Sequence, residues 1–255
     1  MNVVVRASMA AAVALSLSAC HQGAMSQQAP SGTAAGALNT LTPAEVKAGW
    51  RLLFDGKTTA GWRGYRMDSM PPQWTVTDGV LSKSRTTEDI LTVEMFSDFE
   101  LKIDWKVALG GNSGIFYRGS ETYDRVYWSA PEYQLAEDSL TPDSRNPMTA
   151  VAAVYGFYPS KRGVASKAGE WNSTRLVVKG PHVEHWLNGV MIAQYELWSP
   201  EWLLKLHGDP KDPTKRPLKF APYKLFGLAK TGYIAIQGDH NGALSLRNIK
   251  IRELK

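Results

Sequence analysis

The 255-residue chain has a single cysteine, Cys20. No internal disulfide can form, and a cysteine-built zinc or iron–sulfur centre has no ligands. Also missing are the HExxH metalloprotease helix, the GxSxG nucleophile elbow, the Walker phosphate loop and the GxGxxG dinucleotide turn, which removes several enzyme classes together. No apolar run is long enough to stay in a bilayer as a spanning helix. The net charge of +5 is spread along the chain without the lysine and arginine density of a nucleic-acid site, so no nucleic-acid partner is expected.

What is present starts at the N-terminus. MNVVVRASMAAAVALSLSAC places Arg6 before an apolar run, Ala7 to Leu17, and small residues before the cysteine, which is the layout of a secretory signal. Leu17, Ser18, Ala19 and Cys20 have the form of a bacterial lipobox. Residues 1–19 are therefore read as a lipoprotein signal peptide and Cys20 as the lipidation site. The protein is expected to be exported and anchored to a bacterial membrane, facing the periplasm. HQGAMSQQAPSGTAAGALNT carries no charge and no hydrophobic period, so residues 20–40 read as a flexible tether. Residues 41–255 contain no long linker and read as one domain, large enough to bury about 70–75% of its potential surface.

Strand signals dominate that domain. FELKIDWKV alternates strictly, with Phe99, Leu101, Ile103, Trp105 and Val107 on one face and Glu100, Lys102, Asp104 and Lys106 on the other. Asp78-Gly79 and Asn188-Gly189 are dipeptides of tight hairpin turns, and many short strands separated by Gly, Asn, Pro and Asp predict an all-β, two-sheet antiparallel jelly-roll sandwich. One or two short helices are expected: Thr42 with Pro43 and Glu45 has capping-box spacing, and Ser199-Pro200 opens SPEWLLKLHG. DPKDPTKRPLK reads as a proline-broken surface loop.

In PEYQLAED, alternation puts Tyr133, Leu135 and Glu137 on one strand face and Glu132, Gln134, Ala136 and Asp138 on the other. The second face is polar, so it meets either open water or a cavity. Other polar residues on or beside strands are Arg118, Asn172, His185, Gln237, Asp239 and His240. Each also has a plainer reading. Glu132 could be a solvated carboxylate, Arg118 a surface cation or partner of Asp124, and Asn172 a turn residue. His185 could be a core imidazole, and Asp239-His240 loop chemistry.

Six ordered motifs lend these residues a common meaning. They are Leu53-Phe54-Asp55-Gly56-Lys57 with Gly61-Trp62, Asn112-Ser113-Gly114-Ile115-Phe116-Tyr117-Arg118, Pro131-Glu132-Tyr133-Gln134, Gly169-Glu170-Trp171-Asn172, His185-Trp186-Leu187-Asn188-Gly189 and Arg247-Asn248-Ile249. Together they resemble the 3-keto-disaccharide hydrolase family across the whole folded region. The resemblance implies a concanavalin-A-like fold acting on glycosides whose sugar is a ketone at carbon 3. Such a ketone acidifies the carbon-2 proton, so the glycosidic bond can leave by β-elimination and water can then add. The carboxylate pair at fixed separation that ordinary glycosidases need is not required. A base, an enolate stabiliser and an acid suffice.

On that resemblance Glu132 is assigned as base or metal ligand, Arg118 as enolate stabiliser or sugar anchor, and His240 as acid or second base. Gln134, Asn172, His185, Gln237 and Asp239 are assigned to sugar binding. No cofactor is required, although a divalent metal ion could replace Arg118 in stabilising the enolate, with Glu132 and His240 among its ligands. Two departures matter. Relatives commonly read Gln-Asp-His-Gly where this chain has Gln237-Gly238-Asp239-His240, so a positive-φ bulge at Gly238 is expected to turn His240 back to the site. Ala136 stands where relatives often carry an acidic residue, which weakens a metal site on that segment. Two other readings compete: a non-catalytic carbohydrate-binding module with Trp62, Trp128 and Trp202 as its platform, and an ordinary jelly-roll endo-glycosidase, for which Glu132-Tyr133-Gln134 lacks the second carboxylate.

Overall fold

In β6, Phe99–Val107, the alternating apolar residues are all buried, and the same logic organises the rest of the chain. The computed structural model describes residues 1, 37–137, 145–161, 163–165 and 167–255. Cys20, the signal and most of the tether lie outside them. Thirteen strands are seen among the described residues. One sheet holds β1 (Arg51–Leu52), β3 (Thr75–Thr77), β4 (Val80–Lys83), β6, β9 (Asn172–Lys179), β10 (His182–Leu187), β11 (Val190–Glu196) and β13 (Leu244–Glu253). Its order is β11-β10-β9-β6-β13-β4-β3, with β1 also paired to β13. The other holds β2 (Trp62–Gly64), β5 (Ile90–Phe96), β7 (Asn112–Gly119), β8 (Glu132–Ala136) and β12 (Gly232–Ile236), in the order β2-β5-β12-β7-β8. Every pairing is antiparallel. This is the expected all-β jelly-roll sandwich.

Local chemistry does what the sequence asks of it. Asp78-Gly79 and Asn188-Gly189 turn with all four residues at positive φ, joining β3 to β4 and β10 to β11. The short helices are α1, Pro43–Lys47, with the full capping box of Thr42 and Glu45, and α2, Pro200–His207, capped by the Ser199 hydroxyl. The compact unit begins at Ala37, so it takes in the end of the segment assigned to the tether. Asn39 is buried there and exchanges hydrogen bonds with Asn248 of β13: its N–H donates to Asn248 Oδ1 at 2.7 Å, and Asn248 N–H donates to Asn39 Oδ1 at 2.8 Å.

The core lies between the sheets. Tyr133 and Leu135 of β8 join Ile115 and Tyr117 of β7 there, along with Leu101, Ile103 and Trp105 of β6. That orientation decides the face left to Glu132 and Gln134: they point away from the core, yet both are buried, at 9% and 1% exposed. Something must cover them.

Candidate active site

The cover is an aromatic wall over the outer face of the five-stranded sheet. A 3-10 turn, Val126–Trp128, follows β7, and Trp128 stacks on Tyr223 at 4.2 Å with an interplanar angle of 9°. Phe220 meets Trp128 edge-on at 6.2 Å and is itself stacked on Phe226. On the other side, residues 152–155 run beside β8: Ala152 N–H donates to Gln134 O at 2.7 Å and Tyr155 N–H to Glu132 O at 3.1 Å. Between these walls lies a cavity of about 210 Å³.

Glu132, Gln134, Gln237, Asp239 and His240 all line it, with Asn112, Tyr127, Trp128, Tyr155, Lys219 and Phe220. Five of the eight residues assigned from the sequence are therefore brought together, and Glu132 and Gln134 of the polar face of PEYQLAED line a cavity. Three strands supply the floor. Gly114 on β7 pairs with Gln134 on β8, and its carbonyl accepts from Gln237 N–H at 2.9 Å just past the end of β12. Gln134 Nε2 donates to Asn112 Oδ1 at 3.1 Å. The acceptors Gln134 Oε1, Gln237 Oε1 and Asp239 Oδ1 are buried with no donor from the protein. Such groups are costly to bury unless a ligand supplies hydrogens, which sugar hydroxyls do.

His240 reaches the cavity by a different route from the one expected. Gly238 is outside the left-handed region, so no positive-φ bulge forms. β12 has already ended at Ile236, strand alternation no longer applies, and a loop carries Asp239 and His240 forward. Gly238 is required for a steric reason, since a Cβ there would strike the carbonyl of Glu88. Buried Lys83 fixes the loop by donating to His240 O at 2.7 Å and Gly242 O at 3.1 Å. Asp89 accepts from Gly238 N–H at 2.7 Å, and burial lifts its carboxyl to about 7, with Asp239 adding to the rise. The His240 imidazole is 47% exposed at the mouth.

Three assignments are corrected. Arg118 is not in the cavity. Between Phe116 and Gly119 strand β7 carries one residue more than β12 opposite, and Arg118 takes φ +55° there. The irregularity sends its side chain to the turns at the end of the strands, where Nε donates to Ser97 O, Nη1 to Gly180 O and Nη2 to Asp98 Oδ1, all within 2.9 Å. Its partner is Asp98, and it ties two turns together. His185 is a core imidazole, fully buried between the sheets: Tyr117 Oη donates to its Nε2 at 3.1 Å and its Nδ1–H donates to Ala152 O at 3.1 Å. Burial pulls its pKa down to about 4, so it is neutral. Asn172 sits on β9 in the other sheet and accepts from Asn188 Nδ2 at 2.9 Å, bracing the Asn-Gly turn.

The cavity residues missed in the sequence differ in kind. Asn112 shares a strand face with Gly114, so the register of β7 against β8 could have found it. Tyr127 comes from the 3-10 turn and Tyr155, Lys219 and Phe220 from loops, none of which gives a periodic signal. Trp62 and Trp202, considered as parts of an exposed platform, are buried at 4% and 0%, and only Trp128 meets the cavity.

Residues 49–252 match the family model described as 3-keto-alpha-glucoside-1,2-lyase-like domain. The chain belongs to this family. It is 32% identical over 229 residues to a 3-keto-disaccharide hydrolase of Bacteroides thetaiotaomicron, an alignment covering 81% of this chain and 79% of that protein. A candidate glycosyl hydrolase of Parabacteroides distasonis superposes with a TM-score of 0.76 at 30% identity, covering 86% of this chain and 100% of the other. A second structure from that organism gives 0.64 at 30% identity, over 80% of this chain and 99% of its own. Among the described residues no three His, Cys, Asp or Glu side chains are grouped as a metal ligand set. Glu132, Asp239 and His240 share the cavity without forming one.

Proposed function

We propose that this chain cleaves the glycosidic bond of 3-keto-disaccharides or 3-keto-glycosides by β-elimination followed by hydration. Family membership makes it a glycoside-cleaving hydrolase, and its substrate is a carbohydrate. The observation that carries the finer reading is the meeting of Glu132, Asp239 and His240 in one cavity that Trp128 also lines. The aromatic wall suits the C–H face of a sugar ring, and the amide oxygens of Gln134 and Gln237 accept from its hydroxyls.

The proposed chemistry runs on side chains. Glu132 takes the proton from carbon 2, and the C–H electron pair forms the enolate of the carbon-3 ketone. Collapse of the enolate breaks the bond from carbon 1 to the leaving oxygen, which receives a proton from His240. Water then adds to carbon 1 of the unsaturated product, its proton passing to His240 while Glu132 returns one to carbon 2. The test is to offer a 3-keto-α-glucoside disaccharide and its unoxidised parent. Cleavage of the oxidised sugar alone supports the reading. Equal cleavage of both would favour direct two-carboxylate hydrolysis with Asp239 as partner of Glu132, and inertness toward both would leave a binding module. Glu132→Gln should remove turnover with the melting temperature kept.

Export and anchoring through Cys20 are proposed on the N-terminal signal. Cys20→Ala should move the protein from the membrane fraction to the soluble periplasm; retention in the membrane fraction would refute the anchor.

A further inference from the structure

With Arg118 tied to the turns at the end of the strands, the elimination proposed above lacks a group to hold the enolate oxygen. The described cavity wall carries two carboxylates, Glu132 and Asp239, and the unpartnered amide oxygens of Gln134 and Gln237. An oxyanion forming among these acceptors would be repelled unless a donor opposed them. Among the described lining side chains only Lys219 carries an ammonium or guanidinium group.

Lys219 lies in the proline-broken stretch that reads as an ordinary surface loop, yet its backbone is pinned on both sides. Leu218 N–H donates to Leu206 O of α2 at 3.0 Å, and Ala221 N–H closes a turn onto Leu218 O at 3.0 Å. Phe220 is buried and stacked on Phe226 at 4.5 Å. The ammonium rests over two rings of the cavity wall, 4.5 Å from the centroid of Tyr155 and 5.2 Å from that of Phe220. Among the described residues no carboxylate is paired with it, whereas Lys205 and Lys250 each have one and Lys215 has two. An ammonium held by π faces keeps its hydrogens free for an anion.

We infer that Lys219 is the catalytic electrophile: its Nζ–H donates to the carbon-3 carbonyl oxygen of the substrate and stabilises the negative charge that gathers there when Glu132 removes the carbon-2 proton. The lysine keeps its proton throughout. As the enolate collapses and the bond to the leaving oxygen breaks, the carbonyl re-forms and the hydrogen bond relaxes. This inference rests on the elimination reading, and it assigns the loop 209–219 a chemical purpose beyond covering the sheet.

The experiment compares wild type, Lys219→Met and Lys219→Arg on a 3-keto-α-glucoside disaccharide, following kcat, KM and the exchange of the carbon-2 hydrogen in deuterated water by NMR. Lys219→Met should lower kcat by about 10²–10³-fold, the usual loss for one oxyanion donor, and slow the exchange in parallel, with KM changed far less. Lys219→Arg, which keeps the charge, should recover part of the loss. A Lys219→Met enzyme with wild-type kcat, or with a raised KM alone, would overturn the role of Lys219 while leaving the elimination intact. A wild type that neither cleaves the oxidised sugar nor exchanges its carbon-2 hydrogen would instead bring down the elimination and this inference with it. Melting curves of both variants separate lost chemistry from lost fold.

Discussion

The Glu132 carboxylate occupies the space beside Gly114 where any other residue would carry its Cβ. Glycine is needed there for room, since its φ is not in the left-handed region. The two residues belong to adjacent paired strands, β7 and β8, so the pairing register itself sets where the carboxylate points.

Gly114→Ala is therefore expected to displace the carboxylate without unfolding the sandwich. Overpacking of this kind costs about 1–3 kcal/mol. A shift of about 1 Å in a reacting group can cost about 10²-fold in rate. Parallel measurement of kcat and melting temperature checks this; a loss of stability at full activity would show that Glu132 adjusts around the methyl group or has no part in the chemistry.

Arg118→Met should do the opposite. Its three hydrogen bonds hold the Ser97-Asp98 turn to Gly180, and removing a buried guanidinium from such a set costs on the order of 2–3 kcal/mol, discounted because Asp98 is 34% exposed. Thermal unfolding should shift down, and kcat at a temperature well below the transition should stay within about twofold. A large fall in kcat with stability retained would return Arg118 to the site.

The contrast between Arg118 and Glu132 marks how much the sequence could say. Hydrophobic alternation in FELKIDWKV, the Asp-Gly and Asn-Gly turns and the Thr42 and Ser199 caps are local rules, and each appears in the fold as written. The polar face of β8 also followed from alternation. What alternation could not foresee was its interruption. A positive φ at Arg118 reversed that side chain, while the end of β12 at Ile236 freed Asp239 and His240 from strand geometry altogether. The roof is set by contacts over long sequence distances, as in Trp128 on Tyr223, which no short window contains.

His185 gives the fold a measurable acid sensitivity. An unfolded histidine titrates near 6.5, whereas this one is held neutral down to about 4 by burial. Its contribution to stability is thus present above pH 6.5 and is lost as the pH falls toward 4, because only the unfolded chain takes up the proton in that window. His185→Phe removes that pH dependence. It also takes one of its two partners from the buried Tyr117 hydroxyl, leaving Tyr195 Oη, at a cost of about 0.5–1.5 kcal/mol near neutrality. Denaturant midpoints from pH 4 to 8 test both statements, and a variant whose profile runs parallel to wild type would show that the imidazole is not buried as described.

Asp89 should act with the opposite sign. Its carboxyl is raised to about 7 from an ordinary 3.8 by burial, with Asp239 opposing ionisation and Arg125 and the Gly238 N–H favouring it, while Lys83 lies close enough to feel its charge. A raised carboxyl favours the folded state fully below pH 3.8 and loses that advantage as the pH climbs through 7, since the unfolded chain releases the proton earlier. Asp89→Asn keeps an oxygen for Gly238 N–H but cannot ionise. The variant should gain on wild type between pH 5 and 8 by on the order of a few kcal/mol, read from denaturant midpoints. Because Gly238 begins the loop that carries Asp239 and His240, the alkaline limb of kcat/KM should also flatten in the variant. An unchanged difference in midpoint across that range would mean that Asp89 is ionised throughout and that the loop is held by a charged carboxylate.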